Sequence, residues 1–169
     1  VVVAVQQQHV ATCSRHGHTA GTRALCDVLL LHRHHNSDHV IAAIRAAAGP
    51  DVVIVADPNQ GWTVDEAIAV LPGLEEFDVY VEQPVQGLDN LALVHAAIKS
   101  PLIADESCGT SQVVAEIIRR DAADLINLKI LRTGGLFEAC KMLDMCEAGG
   151  LGYRHDNVVQ TRLASTMMI

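Results

Sequence analysis

Three carboxylates and one lysine each close a short apolar run of the chain. Asp57 follows Val-Val-Ile-Val-Ala, Glu82 follows Val-Tyr-Val, and Asp105 follows Pro-Leu-Ile-Ala. Lys129 follows Leu-Ile-Asn-Leu in the same way. The four recur about every 24 residues, close to the length of one strand-and-helix unit of a parallel barrel. Because active sites of such barrels lie at the C-terminal ends of the strands, we expect the four side chains to meet at one rim.

Carboxylates gathered at one rim need a counter-ion, because like charges repel and each carboxylate loses solvation. Oxygen ligands suit a hard divalent cation, so the pattern predicts a Mg²⁺ site with the amine of Lys129 beside it. The plainer interpretation is that the carboxylates are helix caps or solvated loop residues and that Lys129 is a surface lysine. Four such residues in register favour the metal site. Lys129 also ends an apolar strand, where a surface lysine is hard to place.

Strand-like and helix-like segments alternate from residue 26 onward. The predicted strands are 28–31, 52–56, 78–82, 101–104, 124–130 and 151–155, and the predicted helices are 39–48, a helix capped by Thr63, 89–98, 111–120, 134–148 and one from 158. Thr63 and Glu66 form a capping-box pattern at the start of the second helix. This alternation predicts an α/β fold with parallel strands joined by right-handed crossovers, a partial (β/α) barrel of the TIM type.

The length of the chain favours a fragment of such a barrel. A whole eight-stranded barrel takes about 250 residues, and this chain has 169. Residues 1–25 show no clear period and are left unassigned, and residues 26–169 are predicted to form the partial barrel domain. An incomplete barrel would expose sheet edges, which invite association.

Composition excludes several classes of function. The net charge of −8 argues against a nucleic-acid surface, which needs a basic patch. The sequence contains no run of about 18 apolar residues, so it predicts no membrane-spanning helix. The five cysteines are odd in number and contain no Cys-x-x-Cys pair, which is typical of buried thiols in a reducing compartment and predicts a cytoplasmic protein.

Four motifs stand in a fixed order along residues 38–150. They are Val-Ala-Asp57-Pro-Asn59-Gln60-Gly61-Trp62-Thr, Val-Glu82-Gln83-Pro84, Ala-Asp105-Glu106-Ser107 and Asn-Leu-Lys129. In this order and at these intervals they resemble the enolase superfamily, and within it the mandelate racemase and muconate-lactonizing branch. The resemblance implies a modified TIM barrel accompanied by an α+β capping domain that this chain lacks.

The resemblance also implies a reaction and a site. Such enzymes remove a proton next to a carboxylate and form an enediolate, with racemisation, epimerisation, dehydration or cycloisomerisation as the outcome. The resemblance assigns Asp57, Glu82 and Asp105 as Mg²⁺ ligands. It assigns Lys129 as general base, once a nearby cation disfavours the charged form of the lysine. Asn59 and Glu106 would orient the ligands. A small carboxylate or amino acid is the expected substrate, and the full-length parent is expected to be a homo-oligomer.

The chain departs from this pattern in two places. The family usually carries Lys-x-Lys at the end of the second strand, whereas residues 26–35 contain no lysine. His32 or His34 could supply a base there, since imidazole titrates near neutrality, or the segment could simply be divergent. Near the last predicted strand, His155 or Asp156 is a second candidate for the rim.

Two other functions remain open. The chain could be a catalytically incompetent, truncated remnant of such an enzyme. It could also be a metal-binding module built on the cluster His32, His34, His35 and His39. No second His or Cys pair stands at matching spacing, so an accidental or solvated cluster is favoured.

Overall fold

The computed structural model describes residues 2–11, 21–29 and 37–155. Over these residues seven strands form a closed barrel in chain order. The strands are β1 (Val2–Ala11), β2 (Gly21–Leu29), β3 (Val53–Asp57), β4 (Val79–Glu82), β5 (Leu102–Ala104), β6 (Leu125–Leu128) and β7 (Gly152–His155). Strands β2 to β7 are parallel. β1 runs antiparallel to both β2 and β7 and closes the ring.

Helices connect the parallel strands, as the alternation predicts. They are α1 (Ser37–Ala48), α2 (Val64–Val70), α3 (Leu88–Ala97), α4 (Ser111–Arg120), the single turn α5 (Ile130–Thr133) and α6 (Leu136–Gly149), and a 3₁₀ segment (Leu71–Phe77) extends α2. The predicted α/β barrel architecture is therefore confirmed. Within the described ranges, no helix has the length and apolar character needed to cross a bilayer.

The first two strands differ from what the sequence suggests. Residues 1–25 carry no predicted element, yet β1 lies there and β2 crosses residue 26. Among the described residues β1 bridges β2 and β7, so the sheet edges expected of a partial barrel are paired. The strand predicted at 28–31 overlaps β2 at Val28 and Leu29. Its other half, His32 and the helix predicted from 158 lie outside the described residues.

Two apolar layers hold the strands in place. Inside the barrel, a small cluster joins one inward side chain from each of four strands, namely Val55, Tyr80, Ile103 and Leu125. Outside, a larger cluster fills the space between strands and helices and includes Ile54, Val81, Leu102 and Ile126. Side chains of a strand point alternately to its two faces, so strands covered on both faces read as continuous apolar runs. Cys108 and Cys146 are buried and Cys140 is exposed.

The predicted capping box fixes the start of α2. The Thr63 side chain accepts a hydrogen bond from the Glu66 amide, and the Thr63 amide donates to Glu66 Oε2 at 2.9 Å. Two orphan amides of the first turn are thereby satisfied. The helix therefore begins at a defined point, soon after the end of β3.

A buried ion pair ties α3 to the segment before β6. His95 Nε2 lies 3.0 Å from Asp124 Oδ2, and His95 Nδ1 lies 2.6 Å from the carbonyl oxygen of Asp121. Both ring nitrogens face acceptors, so the doubly protonated ring satisfies both contacts. Burial disfavours that charge, but the hydrogen bond and charge of Asp124 outweigh it and raise the pKa of His95.

This pair predicts a pH-dependent contribution to stability. Because the folded pKa of His95 is raised, the contribution is complete below the unfolded value of about 6.5 and is lost as pH rises through the folded pKa. We expect His95→Leu to lower the free energy of unfolding by about 3 kcal/mol at pH 6, and by less at pH 9. Urea unfolding at both pH values measures the difference, with His39→Leu on the exposed side of α1 as the control. A loss that grows with pH would contradict this assignment.

Candidate functional site

The inward row of each central strand ends in a polar side chain at the same rim. Asp57 on β3, Glu82 on β4 and Asp105 at the end of β5 each lie two residues after the member of the inner apolar cluster on the same strand. Because side chains alternate along a strand, all three carboxylates point inward. On β6 the same row continues from Leu125 through Asn127 to Lys129. The structure thus brings together the four residues predicted from spacing.

Glu82 has protein donors on both carboxylate oxygens. Asn127 Nδ2 donates to Oε1 at 2.6 Å, and Arg154 Nη2 lies 2.9 Å from Oε2. Glu82 and Arg154 are each 2% exposed. Burial raises the pKa of Glu82 to about 8, against the opposing charge of Arg154, and the nearby Asp57 and Asp105 raise it further. The three carboxylates therefore lie close enough to repel one another.

Asp105 is likewise held by cations of the chain. Lys129 Nζ donates to Asp105 Oδ2 at 2.5 Å, and the Arg132 guanidinium pairs with Oδ1. Asp105 and Lys129 are buried, whereas Arg132 is partly exposed. The predicted base and a predicted metal ligand are thus direct partners.

Asp57 begins a tight turn that also places Asn59. The Asn59 amide donates to Asp57 Oδ1 at 2.8 Å, and Asn59 and Gln60 have left-handed φ values of 51° and 59°. At Gly61 a Cβ atom would lie 2.8 Å from the Pro58 carbonyl oxygen, so only glycine fits without a shift. Burial raises the pKa of Asp57, while the hydrogen bonds from Asn59 lower it. Asn59 contacts Asp57 as an orienting residue would.

Glu106 and His155 occupy less direct positions. Glu106 is half-buried, and its Oε2 atom has no hydrogen-bond partner among the described residues. Burial raises the pKa of Glu106, and the adjacent Asp105 adds to the shift. The His155 ring lies against Tyr153, with ring centroids 5.8 Å apart. Alternation along β7 therefore gives the inward row to Arg154 rather than to His155.

Gln83 is a positioning residue that the site prediction missed. Its fully buried side chain accepts from the amides of Asp105 and Ser107 at 2.9 and 3.2 Å. Its Nε2 donates to the Val85 carbonyl and to Ser107 Oγ, each at 2.9 Å. Its own backbone, at φ 34°, accepts from the Gln60 amide at 2.7 Å. The side chain and the backbone carbonyl of Gln83 together therefore link the loops that follow β3, β4 and β5. The only sequence signal for this role is the place of Gln83 directly after Glu82.

The residues present fit Mg²⁺ in chemistry. Asp57, Glu82 and Asp105 offer hard oxygen donors at one rim. Burial raises the pKa of Asp57 and of Glu82, which shows that negative charge on these two side chains is poorly solvated. In the described part of the chain, however, no three acidic, His or Cys side chains are clustered as ready ligands. Lys129, Arg132 and Arg154 supply the positive charge instead.

Comparison with known proteins points to one family. The family model of enolase C-terminal domain-like proteins matches residues 28–169. The chain is 35% identical over 114 residues to the hydrophobic dipeptide epimerase of Enterococcus faecalis, covering 66% of this chain and 32% of that protein. It is 36% identical over 111 residues to the cis-3-hydroxy-L-proline dehydratase of Roseibium aggregatum, covering 66% and 30%. The chain spans about a third of the length of these curated relatives.

A solved structure shares the fold. The dipeptide epimerase from Cytophaga hutchinsonii, complexed with Mg and the dipeptide D-Ala-L-Val, superposes with a TM-score of 0.79 at 29% identity. The match covers 85% of this chain and 40% of that one. The similarity thus extends over most of the barrel described above.

The network around Gln83 predicts a large effect of its removal. We expect Gln83→Met to lower the free energy of unfolding by about 3 kcal/mol, because the Asp105 and Ser107 amides lose their acceptor. Gln86→Met, three residues on and exposed, should change it by less than about 0.5 kcal/mol. Chemical denaturation of the two variants measures the contrast, and equal effects would show that the amide is not a structural link.

Proposed function

The chain belongs to the enolase C-terminal domain-like family, in agreement with the resemblance in its motifs. We propose that it carries the metal ligands and the base of an enzyme that removes the proton next to a carboxylate. Its relatives are epimerases, dehydratases and cycloisomerases. The observation that carries the proposal is the buried contact of Lys129 with Asp105, 2.5 Å, at a rim shared with two further carboxylates.

The three rim carboxylates are the proposed ligands of Mg²⁺. Asp57, Glu82 and Asp105 would hold the ion through oxygen atoms, and Asn59 would orient Asp57 through its backbone amide. When bound, Mg²⁺ supplies positive charge where negative charge develops on the substrate oxygens. Without this charge, the C–H group next to the substrate carboxylate is too weak an acid for a side-chain base to remove its proton.

Lys129 is the proposed base. Its position on the inward row of β6 places Nζ beside the carboxylates, and its burial limits exchange with bulk water. A lysine must be neutral before it accepts a proton from the α-carbon. In the structure the charge of Asp105 favours the ammonium form, so the proposal requires that a bound Mg²⁺, in addition to Arg132, disfavour the charged form of Lys129.

The dipeptide epimerases among the relatives suggest small carboxylates such as dipeptides as substrates. Epimerisation needs a proton donor on the face of the substrate opposite Lys129. His32 is the proposed donor, and His155 is a weaker candidate because Arg154 takes the inward row. Elimination of water or cycloisomerisation could proceed with Lys129 as the only base.

One observation favours the alternative of a catalytically incompetent chain. Protein donors engage both oxygens of Glu82 and both oxygens of Asp105. These donors occupy lone pairs that a metal ion would otherwise use. The His-rich module stays a prediction, since of its four histidines only His39, exposed on α1, lies in the described ranges.

Magnesium binding and proton exchange test the proposal. We expect calorimetry to detect Mg²⁺ binding by the wild type and Glu82→Gln to weaken it at least tenfold, since the ligand loses its charge. Lys129→Met should retain Mg²⁺ binding but slow deuterium exchange at the α-carbons of D-Ala-L-Val, the dipeptide in the Cytophaga hutchinsonii complex, by about 10²–10⁴-fold. Exchange is followed by NMR in heavy water.

The matched control is Lys99→Met, because Lys99 is exposed and lies before β5 at the opposite end of the barrel. It should leave both readouts unchanged. A folded wild type with neither Mg²⁺ affinity nor α-proton exchange would favour the incompetent remnant.

A further inference from the structure

Arg154 is a buried cation that has no role in the proposed reaction. It lies on the inward row of β7 and is 2% exposed. In the barrel register it stands beside Asn127 of β6, and its other neighbour strand is β1. A long charged side chain is almost never fully buried unless it is paired, so its partner decides its role.

Arg154 pairs with Glu82, one of the three proposed metal ligands. Arg154 Nη2 lies 2.9 Å from Glu82 Oε2, while Asn127 Nδ2 occupies Oε1 at 2.6 Å. Glu82 belongs to β4, so the contact spans the interior of the barrel from β7. Both oxygens of Glu82 are therefore engaged, one by a neutral amide and one by a full positive charge.

The charge of Arg154 is permanent, and this separates it from Lys129. A lysine yields its proton when another cation approaches, whereas an arginine in a protein cannot be deprotonated. In a buried setting, two cations at one carboxylate repel strongly, because solvent does not screen them. A divalent ion bound to Oε2 of Glu82 therefore repels the guanidinium at its present position.

We propose that Arg154 is an internal competitor of Mg²⁺ for Glu82. In the metal-free protein it pairs with the buried carboxyl group of Glu82 across the interior of the barrel. Metal binding at Glu82 must overcome either the repulsion of this guanidinium or the cost of breaking its pair with Oε2, so Arg154 weakens the apparent affinity for Mg²⁺. The inference rests on the proposed metal site, but it adds a residue and a direction of effect that this site alone does not contain.

The experiment compares Mg²⁺ affinity in three proteins by calorimetry. Arg154→Met keeps an unbranched side chain as far as the ε position but removes the guanidinium and its charge, and we expect it to tighten Mg²⁺ binding at least about tenfold. Arg119→Met removes one positive charge from the exposed face of α4, where the side chain is 63% exposed. It should change the affinity by less than about threefold and corrects for net charge. The rise in Tm on adding Mg²⁺ should also be larger for Arg154→Met than for the other two proteins.

Each result bears on the inference. Tighter binding by Arg154→Met alone supports it, and so does binding by Arg154→Met where the wild type shows none. Equal or weaker binding by Arg154→Met, with binding by the wild type, overturns the inference and leaves the proposed function standing. Absence of Mg²⁺ binding in all three folded proteins overturns both.

If Arg154→Met does not fold, the wild type carries the test. The Nε–Hε resonance of Arg154, assigned by its loss in Arg154→Lys, should shift during a Mg²⁺ titration with the midpoint found by calorimetry. A resonance that stays unchanged while Mg²⁺ binds overturns the inference.

Discussion

Buried negative charge at the rim of the barrel is the constraint on which the remaining structure depends. The strands are covered on both faces, so an inward side chain at a strand end has little access to water. Burying an ionised carboxylate alone costs several kcal/mol, and three together cost more. The chain answers with cations from later elements: Arg154 of β7 for Glu82, and Lys129 and Arg132 for Asp105. These ion pairs also hold the strands of the rim against one another.

The spacing of the site was readable from the sequence because its determinants are local. Each strand is a short apolar run that ends at Asp57, Glu82, Asp105 or Lys129, and the alternation of side chains along a strand needs no tertiary information. The capping box at Thr63 is local for the same reason. The family pattern supplied the roles of these residues, which their geometry alone does not distinguish.

What the sequence did not reveal depends on long-range pairing. In Gly-Tyr-Arg-His both of the last residues are polar, so the face that each occupies on β7 follows only from the register with β6. For that reason the sequence offers His155 as a candidate for the rim and does not single out Arg154. β1 was missed because Val-Val-Ala-Val-Gln-Gln-Gln has no clean alternation and its partners are remote in sequence. The left-handed backbone at Gln83 has no signature either, because its cost, of order 1 kcal/mol, is offset by tertiary hydrogen bonds.

The closure of the ring by β1 has a consequence for the order of folding. β1 pairs with β2 nearby and with β7 at the far end of the described chain, where Val10 stands opposite Arg154. Such a contact has a very high contact order, and the entropy of closing so long a loop is lost before the pairing is gained. During synthesis, therefore, β2 to β6 can associate through short crossovers while the ring is open. The counter-charge for Glu82 arrives only with β7, the last strand of the described residues, so the Glu82–Arg154 pair forms no earlier than the docking of β7.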